Sequence, residues 1–189
     1  SSFLSLHDGI RADKTKAKDN TIALQARNFH IKILERFLGT LFSDMQGYLT
    51  GDIHLDGEFK NLKITGKGRL KDAGLKVIFT QCYYRIRDTD VELTPTKIDL
   101  TGIILTDTVT GNPIYLTGGI EHESFRNMFY NLDISTHKPR SRPGDDDNRP
   151  VLLLNTTMRD NKQFYGRVKG TGSLTLAGPQ SEMFMTINA

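Results

Sequence analysis

The chain has 189 residues and a formal net charge of +3, with 37% hydrophobic and 25% charged residues. This length suffices for one domain with a hydrophobic core, and we expect residues 1–189 to form a single domain of a longer protein. The net charge is too small to favour nucleic-acid binding. The lone cysteine, Cys82, excludes an internal disulfide, and no run of about 20 apolar residues could span a membrane.

One segment near the N-terminus has helical spacing. Its apolar residues recur on one side of a helix, and they are Ile33, Leu34, Phe37 and Leu38. Asn28 is a candidate N-cap and Gly39 a candidate stop. We therefore expect one short helix that covers an end of a sheet.

Most of the remaining chain alternates between apolar and polar residues. The alternating segments are 51–57, 97–101, 114–117, 131–135 and 173–176. A period of two is typical of a strand with one buried face. Glycine, asparagine and aspartate separate these short segments, so the sequence predicts an all-β, antiparallel-rich fold.

Two segments depart from simple alternation. The apolar residues change parity at Gly102, which predicts a β-bulge there because glycine tolerates the backbone angles of a bulge. The run 151–154 is apolar at every position, which predicts a strand that is covered on both faces.

A weak internal repeat relates two glycine-bracketed strands. Residues 51–57 read Gly-x-Ile-x-Leu-x-Gly and residues 172–178 read Gly-x-Leu-x-Leu-x-Gly. Repeated hairpins of equal length favour a solenoid-like or gutter-shaped sheet, although two hairpins can also match by chance.

Residues 137–150 contain three prolines, a glycine and runs of opposite charge, without an apolar side chain. Such a segment cannot offset its ordering entropy by burial. We expect an exposed, mobile loop.

The sequence contains no catalytic or metal-binding arrangement. His122 lies between Glu121 and Glu123, but a strand directs it away from both, and we expect a solvated strand edge. The acidic run 145–147 lacks the spacing of a calcium loop, and Cys82 has no histidine nearby in sequence. We therefore expect no enzymatic activity, no catalytic residues, no cofactor and no metal.

Three stretches together resemble the C-terminal region of the TamB family, the translocation and assembly module subunits of Gram-negative bacteria. They are Asp107-Thr108-x2-Gly111-Asn112, Gly118-Gly119-Ile120-x-His122 and Leu154-Asn155-Thr156-Thr157-x2-Asp160-Asn161-x2-Phe164-Tyr165-Gly166. The resemblance covers roughly residues 34–189, and the segment 137–150 is longer than the family leads us to expect.

This resemblance implies a fold, a place and partners. TamB-like proteins resemble the AsmA-like and bridge-like lipid transfer proteins, whose elongated, curved, taco-shaped sheet has an apolar concave face. An N-terminal helix outside this fragment would anchor the full-length protein in the inner membrane. The fragment would lie in the periplasm and reach toward an outer-membrane barrel partner of the Omp85 class. The implied roles are movement of phospholipid toward the outer membrane and assembly of outer-membrane proteins.

The alternating strands supply candidate residues for that concave face. An acyl chain needs repeated aliphatic contacts rather than placed polar groups. The predicted groove residues are Ile53, Leu55, Ile64, Leu70, Ile98, Leu100, Ile114, Leu116, Ile120, Leu132, Ile134, Leu174 and Leu176. In an open groove, aspartate at Leu116 or Leu174 should leave the domain folded, because water or mobile lipid could solvate the charge.

Two alternatives use the same residues. A closed β-sandwich would bury them as an ordinary core. A chaperone-like groove would hold the strands of outer-membrane barrels or secreted proteins, since open sheet edges pair with incoming strands. A carbohydrate-binding sandwich is disfavoured because the chain has no tryptophan.

Overall fold

The computed structural model describes residues 10–13, 22–57, 63–123, 126–140, 142, 144–145, 147–163 and 165–188. These residues form an all-β protein, as predicted, in which twelve strands build one large antiparallel sheet and two form a separate hairpin. The strands are β1 (Ile10–Asp13), β2 (Ile22–His30), β3 (Phe42–Asp56), β4 (Lys63–Val77), β5 (Cys82–Ile86), β6 (Thr89–Leu93), β7 (Lys97–Asp99), β8 (Ile104–Asp107), β9 (Pro113–Glu123), β10 (Arg126–Ser135), β11 (Val151–Thr156), β12 (Gly166–Gly170), β13 (Ser173–Pro179) and β14 (Phe184–Asn188).

The large sheet follows the order of the chain. Its strand order is β1-β2-β3-β4-β5-β8-β9-β10-β13-β14. β6 continues β5 along the same edge of β4, and β7 precedes β8 along the same edge of β9. Each of two segments, 82–93 and 97–107, therefore acts as one interrupted strand. Strands that follow each other along the chain are then adjacent in the large sheet. Only the β11–β12 hairpin leaves this path.

The predicted irregularity at Gly102 is present between β7 and β8. Asp99 lies opposite Gly119 and Ile104 lies opposite Tyr115, so five steps on one side face four on the other. Gly102 has a φ of +88°, which glycine adopts without strain. The extra residue brings the apolar side chains before and after it onto the same face of the sheet.

The predicted helix is two consecutive single turns, a 3-10 turn over Ile31–Leu34 and an α-helical turn, α1, over Glu35–Leu38. The predicted N-cap was wrong. His30 caps the 3-10 turn, and its Nδ1 accepts a hydrogen bond from the Lys32 N–H at 3.1 Å. Asn28 instead lies in β2 with a φ of +48°, where its N–H donates to Thr50 Oγ1. The Phe37 side chain lies outside the described part of the chain.

No helix within the described ranges is long and apolar enough to cross a membrane. A second 3-10 turn, Gln180–Glu182, joins β13 to β14.

Buried side chains form two clusters. The larger cluster lies between the middle of the large sheet and the β11–β12 hairpin, and its residues are Cys82, Tyr84, Ile103, Leu105, Ile114, Leu116, Ile120, Met128, Tyr130, Leu132, Val151, Leu152 and Leu176. The smaller cluster lies beneath the helical turns and consists of Ile31, Met45, Leu70 and Ala73. Val151, Leu152 and Leu154 are buried and Leu153 is half-buried, so the apolar run is covered on both faces, as predicted, at all but one position.

The segment 137–150 precedes this hairpin. Its described residues are exposed, except Asp147, which is half-buried, and residues 141, 143 and 146 lie outside the described part. His137 bridges Asn148, and the Lys138 N–H donates to the Asp147 carbonyl at 3.0 Å. These contacts close the base of the segment, and its mobility stays a prediction.

Candidate functional site

The thirteen predicted groove residues lie on one face of the large sheet, which we call face A. Residues directly opposite each other in antiparallel strands point to the same side. Leu55 lies opposite Ile64, and Ile98 lies opposite both Leu93 and Ile120. Register and two-residue spacing place the others on the same face: Ile53, Leu70, Leu100, Ile114, Leu116, Leu132, Ile134, Leu174 and Leu176.

Burial divides this set into two groups. Six side chains are buried in the clusters described above: Leu70, Ile114, Leu116, Ile120, Leu132 and Leu176. Seven are half-buried: Ile53, Leu55, Ile64, Ile98, Leu100, Ile134 and Leu174. The first group packs within the two clusters, and Ile98, Leu100, Ile134 and Leu174 of the second group also pack against the larger cluster. Ile53, Leu55 and Ile64 belong to neither cluster, so they are the predicted groove residues best placed to meet a ligand in this conformation.

Face A extends beyond the predicted residues. Ile22 lies opposite Leu55, and Ile187 lies opposite Leu174. Ile22 is 47% exposed and Ile187 is 60% exposed. Neither residue was predicted, although Ile22-x-Leu24 and Met185-x-Ile187 each alternate in sequence. Leu24, Val91, Leu93 and Met185 are further members of face A.

The opposite face, face B, carries charged and polar pairs. Lys67 and Glu92 lie opposite each other with 3.8 Å between Nζ and Oε1, and Arg69 and Asp90 pair at 3.2 Å. All four side chains are largely exposed. Because these side chains are exposed, face B is solvated at these positions. Exposed ion pairs of this kind contribute little to stability.

The two ends of face A differ. The β11–β12 hairpin lies over one end of the sheet, which we call the hairpin end. This is the end at which β4, β8 and β10 finish and β5, β9 and β13 begin. At the other end, Ile53, Leu55 and Ile64 are half-buried and Ile22 is exposed; we call this the open end.

Asp107 anchors the hairpin, a role that was not predicted from the sequence. Its side chain is fully buried at the end of β8. Oδ1 accepts from the Val109 N–H at 3.1 Å, and Oδ2 accepts from the Thr110 N–H and hydroxyl and from the Leu152 N–H at 2.9 Å. Burial raises the pKa of this carboxyl, but these hydrogen bonds outweigh burial and hold the pKa below its ordinary value.

Three further hydrogen bonds attach β11 to the large sheet. The Tyr84 hydroxyl donates to the Leu152 carbonyl at 2.7 Å, and Asn112 Nδ2 donates to the Pro150 carbonyl at 2.8 Å. The Asn155 N–H donates to the Thr80 carbonyl at 2.9 Å. Polar contacts therefore line one strand of the hairpin, while Val151 and Leu152 supply the apolar contacts.

His122 does point away from Glu121 and Glu123, as predicted. The expectation of a solvated edge was wrong for this side chain, because His122 is only 3% exposed while both glutamates are exposed. Burial lowers the pKa of His122, and a backbone hydrogen bond with Thr94 offsets part of that effect. Among the described residues, no group of three or more histidine, cysteine, aspartate or glutamate side chains could hold a metal ion.

No protein-family model, curated protein or solved structure matches the chain.

Proposed function

We propose that face A is the concave, apolar side of a curved sheet that carries the acyl chains of phospholipids. In this proposal the chain is a periplasmic segment of a TamB-like envelope protein of a Gram-negative bacterium. The full-length protein is anchored in the inner membrane and hands lipid toward the outer membrane beside an Omp85-class barrel.

One observation carries the proposal. The cross-strand register aligns aliphatic side chains on the same face from β2 to β14, while charged pairs lie on the other face. A sheet with such a face must cover it, close on itself or bind something apolar. At the open end, Ile53, Leu55 and Ile64 are only half-buried, so part of each aliphatic side chain is exposed on face A.

The direct test is lipid recovered with the purified protein. Extraction followed by mass spectrometry should find phospholipid with the wild-type chain. Leu55→Asp should reduce the recovered lipid severalfold, because each methylene of an acyl chain that loses its apolar contact forfeits about 0.8 kcal/mol.

His54→Asp is the matched control. His54 neighbours Leu55 in β3, but its side chain is exposed on face B. Lipid recovery should match the wild type. Equal lipid in both variants, or none in the wild type, would exclude lipid carriage by the open end of face A.

A second candidate function is to hold the strands of outer-membrane or secreted proteins. The observation that favours it is the edge strand β14, where Phe184 is 74% exposed and Ile187 is 60% exposed. Exposed apolar edges accept incoming strands by backbone pairing. A strand-forming peptide from a barrel protein should then protect β14 amides from hydrogen exchange, whereas lipid should leave their exchange unchanged.

A further inference from the structure

We propose that the β11–β12 hairpin is a displaceable cap, which an acyl chain pushes aside to reach the hairpin end of face A. This inference rests on the proposed lipid-carrying function, because the hairpin and an acyl chain would compete for the same surface of face A. The cap would regulate how far along face A a lipid can move.

The hairpin can leave without dismantling the large sheet. It forms a sheet of its own, so its ladder hydrogen bonds run between β11 and β12. Below it, the Thr136 N–H donates to the Gly172 carbonyl at 3.0 Å, and the Gly172 N–H donates to Thr136 Oγ1 at 2.9 Å. The pairing of β10 with β13 starts directly beyond this clamp, at Ser135 and Ser173. Thr136 and Gly172 therefore stay hydrogen-bonded to each other if the hairpin moves.

The contacts that the hairpin makes are ones that an acyl chain can replace. Val151 is 0% exposed and Leu152 is 2% exposed, and both belong to the cluster that contains Ile114 and Leu116 of face A. These contacts are aliphatic and non-directional, as are those of a lipid tail. A chain that enters from the open end would meet Val151 and Leu152 in its path.

Few directional bonds oppose this exchange. Leu152 is held through its N–H by Asp107 and through its carbonyl by Tyr84. Asn112 bonds Pro150, directly before β11, and Thr80 bonds Asn155 within it. The cap is thus held by an apolar layer and a short row of hydrogen bonds along β11, rather than by a ladder into the sheet.

Cys82 provides a built-in reporter of cap opening. It is the only cysteine of the chain, it is 1% exposed, and it belongs to the cluster beneath the hairpin. Its thiol donates to the Thr80 carbonyl at 3.5 Å, and the same carbonyl accepts the Asn155 N–H of β11. Displacing the hairpin would expose the thiol at this seam.

The experiment measures how fast Cys82 reacts with a soluble maleimide at fixed pH. Asn112→Ala removes the bond to Pro150, and Tyr84→Phe removes the bond to Leu152. The Tyr84 side chain also hydrogen-bonds Cys82 and lowers the pKa of its thiol, so the Tyr84→Phe rate is compared with the wild-type rate after the pH dependence of each rate has given the thiol pKa. Each substitution should raise the rate on the order of fivefold, the fold-change that corresponds to about 1 kcal/mol for one hydrogen bond. The rate should depend only weakly on urea, as expected for local opening.

Tyr83→Phe is the matched control, because Tyr83 neighbours Tyr84 in β5 but points to face B opposite Lys76. Its rate should equal the wild-type rate. If Asn112→Ala and Tyr84→Phe also react at the wild-type rate, or if the reaction requires global unfolding, the hairpin is a fixed part of the core and the proposal fails.

A second experiment measures the same Cys82 reaction rate in the presence of lysophosphatidylethanolamine below its critical micelle concentration. The lipid should raise the wild-type rate severalfold, with a smaller concentration needed for Asn112→Ala. An unchanged rate would contradict the proposal that an acyl chain displaces the hairpin. That failure differs from failure of the proposed function, because lipid would still be recovered with the wild type and lost in Leu55→Asp.

Discussion

At the residue scale, burial separates side chains that the sequence treats alike. Leu55 and Leu116 both belong to alternating strands and both lie on face A, yet Leu55 is half-buried and Leu116 is 8% exposed in the larger cluster. Alternation predicts the face of a side chain, because the period of a strand is fixed at two. It carries no information on what later covers that face.

This difference changes what a charge should do at each position. We expect Leu116→Asp to destabilise the domain by about 4 kcal/mol or more, because the carboxylate would be desolvated among aliphatic side chains. Leu55→Asp should cost about 1 kcal/mol or less, since water reaches that site. Urea unfolding followed by circular dichroism measures both, and equal losses would contradict the division of face A. The burial of Leu116 therefore argues against the expectation that Leu116→Asp stays folded. Leu174 is half-buried against the larger cluster, and a folded Leu174→Asp variant stays a prediction.

Asp107 illustrates what residue types alone leave undetermined. An aspartate followed by Thr-Val-Thr-Gly is typical of a turn, and the turn is present. The sequence could not indicate that the second carboxylate oxygen also receives the Leu152 N–H, because that donor arrives from 45 residues further along the chain.

We expect Asp107→Asn to lower the free energy of unfolding by about 3 kcal/mol, since an amide cannot accept all four hydrogen bonds in a buried site. Asp99→Asn is the control, because the exposed Asp99 is hydrogen-bonded by the N–H and the side chain of Thr101, within its own turn. It should cost under about 1 kcal/mol. Similar losses in the two variants, measured by urea titration, would mean that Asp107 does not anchor the hairpin.

His122 should make stability depend on pH in the mildly acidic range. Its folded pKa lies below the ordinary value, so the unfolded chain binds the proton first. The stability that the neutral side chain supports is present above about pH 6.5 and is lost as the pH falls through the folded pKa. Tm should decline between pH 7 and pH 5 in the wild type, and His122→Gln should flatten this decline. Parallel curves would argue against a buried, neutral His122.

At the element scale, glycines decide where strands can approach closely. Gly118 has a φ of +99°, and a Cβ there would lie inside contact distance of the Asn131 carbonyl oxygen in β10. Gly111 has a φ of +75°, but a Cβ there would meet nothing within 4 Å. The two glycines share a left-handed backbone and differ in their surroundings.

Gly118→Ala should therefore destabilise the protein by at least about 3 kcal/mol, through strain and a backbone clash together. Gly111→Ala should cost about 1 kcal/mol, for the backbone conformation alone. Thermal unfolding of both variants measures the difference. If Gly111→Ala is as costly as Gly118→Ala, the close approach of β9 and β10 is not what requires glycine.

The strands β3, β7, β9, β10 and β13 were predictable because each contains a locally alternating segment, and the irregularity at Gly102 was predictable from one change of parity. The N-cap was not, because Asn28 has the composition of a cap but lies in a strand irregularity that only pairing with β3 creates. The apolar run 151–154 predicted a covered strand, but the sequence did not indicate that it covers face A.

At the scale of the whole molecule, the proposed function uses face A of the large sheet, which is only partly buried among the described residues. Chain order equals sheet order, so the aliphatic positions of successive strands fall side by side without long crossovers. The capped end stabilises the sheet through the larger cluster, while the open end keeps Ile53, Leu55 and Ile64 within reach of a ligand.

The measurement that tests this account most directly is photo-crosslinking to phospholipid from neighbouring positions of β3. A diazirine side chain replaces Ile53, which is half-buried on face A, or Asp52, which is exposed on face B. In vesicles that carry a labelled phospholipid, the expected result is a crosslink to the acyl chain from position 53 and none from position 52. Equal labelling from the two positions, or labelling from neither, would contradict the assignment of face A as a lipid-carrying surface.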